Sequence, residues 1–155
     1  MRLVQWPHGP GNLFIAIAHF CDTLMGDEAS WTFYGFRTGG GGRIVQAWFD
    51  DLSDAEKDEI RDTLGYLQQL HLSEWKYPRF EPLGNGLSEI RFKVGALNIW
   101  IRIYGMFWPP KERFSYTLLH GSGKKAKNDR RGKKEATRRK RLLENNEATI
   151  HEFEF

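Results

Sequence analysis

Four side chains between residues 91 and 124 have the chemical types that can cleave a phosphodiester without a metal ion. Such cleavage of RNA needs a base for the 2′-hydroxyl, a cation for the pentavalent phosphate and a proton for the departing 5′-oxygen. Arg91 and Arg102 suit the second task, because a guanidinium fork matches two phosphate oxygens and keeps its charge. His120 suits proton transfer, because imidazole titrates near neutral pH, and Lys124 suits phosphate binding. These four residues are the predicted catalytic group.

Aromatic and basic residues around this group are candidates for RNA binding. Trp100 and Tyr104 are predicted to stack on bases, a contact worth about 1–3 kcal/mol per base. The cations predicted to attract phosphates are Lys93, Lys125, Lys127, Arg130 and Arg131.

Each assignment has a structural alternative. Arg91 and Lys93 also fit the solvated side of a two-faced sheet, and His120 fits a cap on the Gly121 turn as well as it fits a catalytic role. The two aromatic rings equally fit packing within the fold. Glu89, among so many cations, fits a salt-bridge partner of Arg91 better than a catalytic base.

No pattern in the sequence predicts a metal or a small-molecule cofactor. The five histidines are scattered without the spacing of a metal site, and Cys21 is the only cysteine, best read as a small inert hydrophobe in a reducing cytoplasm. Gly39 to Gly42 lacks the lysine and hydroxyl of a phosphate loop and is predicted to be a linker.

Three segments of alternating polarity are predicted to position the catalytic group on one antiparallel sheet. They span residues 87–94, 98–104 and 114–120, and alternation with a period of two is typical of half-buried strands. Isoleucine and phenylalanine would lie on one face, with Arg, Lys, Glu, Trp and Tyr on the other. The third strand leads directly into Lys124.

The other elements follow from capping and periodicity. Ser53 to Glu56 forms a capping box that begins a predicted amphipathic helix at 54–71, with Ile60, Leu64, Leu67 and Leu70 as its stripe. The remaining predictions are strands at 31–37 and 149–155, helices at 43–49 and 132–145, and a connecting loop at 75–83.

A chain of 155 residues is predicted to form one domain, here residues 30–155. Residues 1–29 are an extension for which two readings stay open: a helix from Asn12 to Leu24, or a leader absent from a product that begins at Met25. No apolar segment is long enough to span a membrane, and no secretory signal is recognisable, so a cytoplasmic location is expected.

Charge is distributed unevenly along the chain. Residues 124–141 contain eleven lysines and arginines against two acids, although the net charge is only +3. This asymmetry indicates a polyanionic partner, in the simplest case a nucleic acid.

The order of these motifs resembles the RelE/ParE toxin superfamily, in particular its phage-related HigB-like branch. The matching pieces are LSEIRF at 87–92, WIRIY at 100–104, LLHG at 118–121 and KK at 124–125. A basic helix follows them, and the match spans residues 31–144. Three features depart from the family pattern: the arginine at position 102 is shifted by one residue, FWPPKER at 107–113 is an insertion, and the N-terminal extension lies outside the pattern.

The resemblance implies an α+β fold with two or three helices packed on one face of a small, curved antiparallel sheet. It implies ribosome-dependent, metal-independent cleavage of messenger RNA by the toxin of a type II toxin–antitoxin pair. It also implies three partners: a cognate antitoxin that covers the basic face, the ribosome and the messenger RNA. Two alternatives stay open: a non-catalytic RNA- or ribosome-binding module, and a ParE-like inhibitor of a protein target such as gyrase.

Overall fold

The computed structural model describes residues 30–95, 97–124 and 128–155, with Lys124 described by its backbone alone. Five predicted features lie outside these residues: the helix from Asn12 to Leu24, the alternative start at Met25, Cys21, Lys125 and Lys127. Within the described residues, no helix has the length and apolar character needed to span a bilayer.

The described chain contains six strands and three α-helices. Their bounds are β1 Thr32–Arg37, α1 Ile44–Asp50, α2 Asp54–Gln68, β2 Phe80–Gly84, β3 Leu87–Val94, β4 Ile99–Met106, β5 Ser115–Lys124, α3 Arg130–Glu144 and β6 Thr149–Glu152, with a short 3-10 helix at Leu72–Glu74. All the predicted strands and helices in this region are confirmed, with small shifts of their ends. The predicted loop at 75–83 is wrong in part, because it contains most of β2. Pro82 is tolerated there because β2 lies at the edge of the sheet, where a missing backbone donor costs no ladder hydrogen bond.

The strands form one mixed sheet in the order β2-β3-β4-β5-β1-β6. The prediction of a purely antiparallel sheet is therefore wrong at one position: β1 runs parallel to β5, with Thr32 opposite Ser115. The long connection from β1 through two helices and three strands makes this parallel pairing possible. The antiparallel ladder of β3, β4 and β5 is as predicted.

The helices cover both faces of the sheet, which corrects the prediction that they pack on one face. The Trp48 ring of α1 lies directly over Gly121 of β5. The next residue, Ser122, donates a hydrogen bond to Asp129 at the start of α3. Because successive strand residues point to opposite faces, α1 and α3 lie on opposite sides. α3 can cover the polar face because Ala136, Arg139 and Leu143 are buried beneath it.

The apolar face under α2 is the predicted core. The capping box is present, since the Glu56 N–H bonds the Ser53 hydroxyl and the Glu56 carboxylate accepts the Ser53 N–H at 2.9 Å. Ile60, Leu64 and Leu67 of α2 are buried. They pack towards strands whose inward residues are equally buried, namely Ile90, Phe92, Val94, Ile101 and Ile103. This face forms the hydrophobic core, and the polar side chains of β3 and β4 lie on the other face.

We expect Gly105→Ala to lower the free energy of unfolding by about 1–3 kcal/mol, because β4 and β5 are in contact there without space for a methyl group. A Cβ at position 105 would lie 2.7 Å from the Thr117 carbonyl oxygen and closer still to the fully buried Tyr116 ring. Tyr116 is also held by a 2.9 Å hydrogen bond to Ser88. Urea denaturation measures the loss.

The matched control is Gly65→Ala in α2, where no atom lies within 4 Å of the new methyl group. That variant is expected to gain about 0.5–1 kcal/mol, because alanine is the better helix former. Equal effects of the two substitutions would contradict the packing described here.

Candidate functional site

Asp129 fixes the beginning of α3 on the polar face of the sheet. Its carboxylate accepts the Gly132 N–H at 2.9 Å, which caps the helix, and it accepts the hydroxyl of Ser122 from β5. The Tyr104 hydroxyl of β4 donates to the same carboxylate at 3.4 Å. Asp129 is itself buried. This junction separates two clefts, one on each side of the helix start.

The first cleft, which we call the arginine cleft, has a volume of about 400 Å³. It contains both predicted arginines, Arg91 and Arg102, which face each other across β3 and β4. Its charges nearly cancel, with four cations and three acids. These charged residues are Arg91, Arg102, Arg130, Lys133, Glu81, Glu89 and Asp129.

Glu89 holds the two arginines of this cleft in an ion-pair network. Its carboxylate oxygens lie 3.3 Å from Arg91 Nε and 3.5 Å from Arg102 Nη1, and Glu81 also pairs with Arg91. Burial raises the pKa of the Glu89 carboxyl, and the guanidiniums of Arg102 and Arg91 oppose that shift without cancelling it. The predicted salt bridge between Glu89 and Arg91 is therefore present. A phosphate entering this cleft would have to compete with two carboxylates for the same arginines.

The second cleft, which we call the histidine cleft, has a volume of about 950 Å³ between β5 and α3. His120 and Ser122 line its strand side. Its charged residues are five cations and one acid: Arg131, Lys134, Arg138, Arg139, Arg141 and Glu135. The excess of positive charge in this cleft favours anions more strongly than the nearly balanced charges of the arginine cleft do.

Helical spacing explains why these cations share a cleft. Arg131, Lys134, Arg138 and Arg141 are separated by three, four and three residues, which places them on one side of α3. All four are exposed. We call this set the basic stripe.

Arg139 and Glu135 anchor the stripe to the sheet. The buried Arg139 donates to the Leu119 carbonyl oxygen at 2.8 Å and to the Glu135 carboxylate at 2.9 Å. The hydrogen bonds and positive charge of Arg138 and Arg139 lower the pKa of Glu135 to about 2. Glu135 therefore stays ionised throughout the physiological range and fixes both guanidiniums.

The predicted catalytic residues occupy both clefts. Arg91 and Arg102 lie in the arginine cleft and His120 in the histidine cleft. All three lie on the same face of the sheet. Arg91 is the cross-strand neighbour of Arg102, and His120 is the cross-strand neighbour of Tyr104. Arg102 and Tyr104 are two residues apart on β4 and therefore share a face. The backbone of Lys124 pairs with Trp100 at the end of β5.

The predicted RNA-binding residues fall into an exposed and a buried group. Lys93, Trp100, Arg130 and Arg131 are exposed. Tyr104 is only 2% exposed, so the prediction that its ring stacks on a base is corrected by its position beneath α3. Burial raises the pKa of its hydroxyl to about 12, and the Asp129 and Glu89 carboxylates add to the shift. Tyr104 is thus a permanent hydrogen-bond donor at neutral pH, and its ring stacks against His120 with centroids 6.4 Å apart.

Sequence reasoning missed Asp129, Ser122, Lys134, Arg138 and Arg141 as site residues. The spacing of the basic stripe was visible in the basic segment, whereas the position of the buried Asp129 depends on how α3 docks. Among the described residues, no group of three or more His, Cys, Asp or Glu side chains is arranged to hold a metal ion.

Comparison with known proteins leaves the site to be interpreted by its own geometry. No family model matches this chain, and no curated protein matches its sequence.

Proposed function

We propose that this protein is a RelE-like endoribonuclease that cleaves messenger RNA on the ribosome and acts as the toxin of a type II toxin–antitoxin pair in the cytoplasm. The observation that carries the proposal is the composition of the histidine cleft. It combines one imidazole with five cations against a single acid. Polyanion binding and proton transfer are the two capacities that metal-independent RNA cleavage requires.

The chemistry assigned to this cleft uses groups on both of its walls. The basic stripe holds the phosphates of a single strand and stabilises the negative charge that develops on the pentavalent phosphorus. His120 accepts the proton of the 2′-hydroxyl, and the 2′-oxygen attacks phosphorus to form a 2′,3′-cyclic phosphate. The bond from phosphorus to the 5′-oxygen breaks, the 5′-oxygen takes a proton from water, and His120 returns its proton to the solvent. Arg138 is held in position by Glu135 through contacts of 2.7 and 3.1 Å, while Arg131, Lys134 and Arg141 supply the remaining positive charge of the stripe.

The partners follow from the same surface. Ribosome-bound messenger RNA would supply the anionic strand, and the antitoxin would be an acidic protein that covers the basic stripe. Both interactions are expected to weaken with salt, because exposed charges are screened beyond about 10 Å at 0.1 M ionic strength.

A second candidate function is binding of RNA or the ribosome without cleavage. The observation that favours it is the network of Glu89 with Arg91 and Arg102, since the two arginines predicted to stabilise a transition state are already neutralised by carboxylates. A binding module would need only the basic stripe.

Induced expression in bacteria tests the proposed function. We expect growth to stop and new 5′ ends to appear in transcripts mapped after induction. Neutralising Arg131, Lys134 and Arg141 together is expected to restore growth, whereas replacing Lys76 and Lys111 by alanine, exposed cations that line neither cleft, is not. Unimpeded growth with intact transcripts would remove the toxin proposal.

A further inference from the structure

A second surface of unusual composition lies beside the arginine cleft, at the edge of the sheet where β3 extends past its pairing with β2. Tyr77 is 73% exposed and Trp100 is 41% exposed, and neither ring is needed for the core. Both lie close to cations, since Arg79 and Lys93 are exposed beside them. We call Tyr77, Arg79, Lys93 and Trp100 the aromatic platform.

Three platform residues, Arg79, Lys93 and Trp100, line a cleft of about 290 Å³ between α2 and the ends of β3 and β4, and Tyr77 lies beside Arg91, which lines the same cleft. Lys93 and Trp100 are direct cross-strand neighbours. The Arg91 guanidinium lies 5.1 Å from the centroid of the Tyr77 ring. Three cations line this cleft (Arg79, Arg91 and Lys93) against one acid, Glu59. Exposed rings beside an excess of positive charge suit a ligand that has both flat apolar faces and negative charge.

The platform adjoins the arginine cleft, which lies next to the proposed RNA site. Arg91 lines both the platform cleft and the arginine cleft. Trp100 lies four residues along β4 from Tyr104, which is the cross-strand neighbour of His120. That separation is about 13 Å from the rise of a strand, which a few nucleotides can span.

We propose that the aromatic platform stacks an unpaired base of the RNA strand whose scissile phosphate lies in the histidine cleft. The inference rests on the proposed function for the identity of the ligand. Single-stranded RNA fits better than a protein partner, because every base offers a flat face to Tyr77 and Trp100 while its phosphates meet Arg79 and Lys93. A duplex keeps its bases stacked inside and cannot reach the two rings.

Fluorescence anisotropy with a labelled single-stranded oligouridylate tests the platform. We expect Tyr77→Ala and Trp100→Ala each to weaken binding by about 5- to 100-fold, while Tyr77→Phe and Trp100→Phe keep the ring and most of the affinity. Phe107→Leu is the control, because Phe107 is an exposed ring outside the platform cleft and leucine keeps apolar packing against the neighbouring rings. Glu59→Gln is expected to tighten binding by removing the one acid of the cleft. An oligonucleotide with abasic positions should bind the wild type and the alanine variants alike.

The other outcomes separate the two proposals. If the platform variants bind like the wild type while neutralised basic-stripe variants do not, the platform is overturned and the proposed RNA site stands. If the alanine variants weaken the abasic oligonucleotide equally, the surface holds phosphates and base stacking is overturned. If they bind RNA normally but lose a protein partner, the platform is a protein interface. If the wild type binds no oligonucleotide or ribosome, the proposed function fails together with the platform.

Discussion

His120→Gln is expected to lower the rate of ribosome-dependent RNA cleavage by about 10²–10⁴-fold while leaving RNA affinity nearly unchanged. Among the described residues of the histidine cleft, His120 carries the side-chain type best suited to proton transfer, since the charged residues beside it are lysine, arginines and a glutamate of low pKa. Glutamine has a similar length and keeps polar atoms in the cleft. Single-turnover cleavage with saturating ribosomes measures the chemical step, and a separate binding assay measures affinity.

His71→Gln is the control for this substitution. His71 is exposed and lines neither cleft, so cleavage should be unaffected. A proportionate loss of affinity and cleavage in His120→Gln would favour the non-catalytic alternative. Wild-type cleavage by the variant would remove His120 from the mechanism and leave the basic stripe as a binding surface only.

Local patterns in the sequence were sufficient to predict the scaffold. Residues 87–94 alternate so regularly that only one register buries Ile90, Phe92 and Val94, and the structure has that register. The capping box at Ser53 fixed the start of α2 for a similar reason, because its hydrogen bonds join residues three apart. Such signals are contained within one element and need no knowledge of its neighbours.

The arrangement of the site depended on contacts between distant residues. The alternating pattern predicted that Arg91 and Arg102 lie on the polar face. The pairing of β2 with β3, which no local pattern predicts, brings Glu81 beside Glu89, and these two carboxylates neutralise the arginines. In the same way, a polar strand face is normally solvated, and nothing local shows that α3 will cover it. Tyr104 was therefore predicted to meet a base, whereas it supports the helix. The parallel pairing of β1 with β5 was missed because no local pattern encodes strand order.

Asp129→Ala is expected to lower the free energy of unfolding by about 2–4 kcal/mol, the largest stability loss predicted here. The substitution removes the cap of α3, which is worth about 1 kcal/mol. It also leaves the Ser122 hydroxyl without its carboxylate acceptor, at about 1–3 kcal/mol for a group that stays unsatisfied, whereas the Tyr104 hydroxyl keeps the backbone oxygen of residue 129, at 3.4 Å, as an acceptor. Urea denaturation measures the loss. RNA affinity should fall as well, because the basic stripe is positioned by the start of α3.

Asp129→Asn separates the cap from the charge. Its side-chain oxygen can still accept the Gly132 N–H, so most of the stability should return. The pKa of Tyr104 should fall below about 12, because one of the charges that raise it is gone. The folded-state pKa of the Tyr104 hydroxyl lies above the ordinary value of 10. This hydroxyl therefore contributes its full stabilisation of the fold below pH 10, and that stabilisation is lost as the pH rises through about 12. In the variant that loss should therefore span a narrower alkaline range. Identical alkaline unfolding of the wild type and Asp129→Asn would show that Asp129 does not act on Tyr104, and the junction between the two clefts would need another explanation.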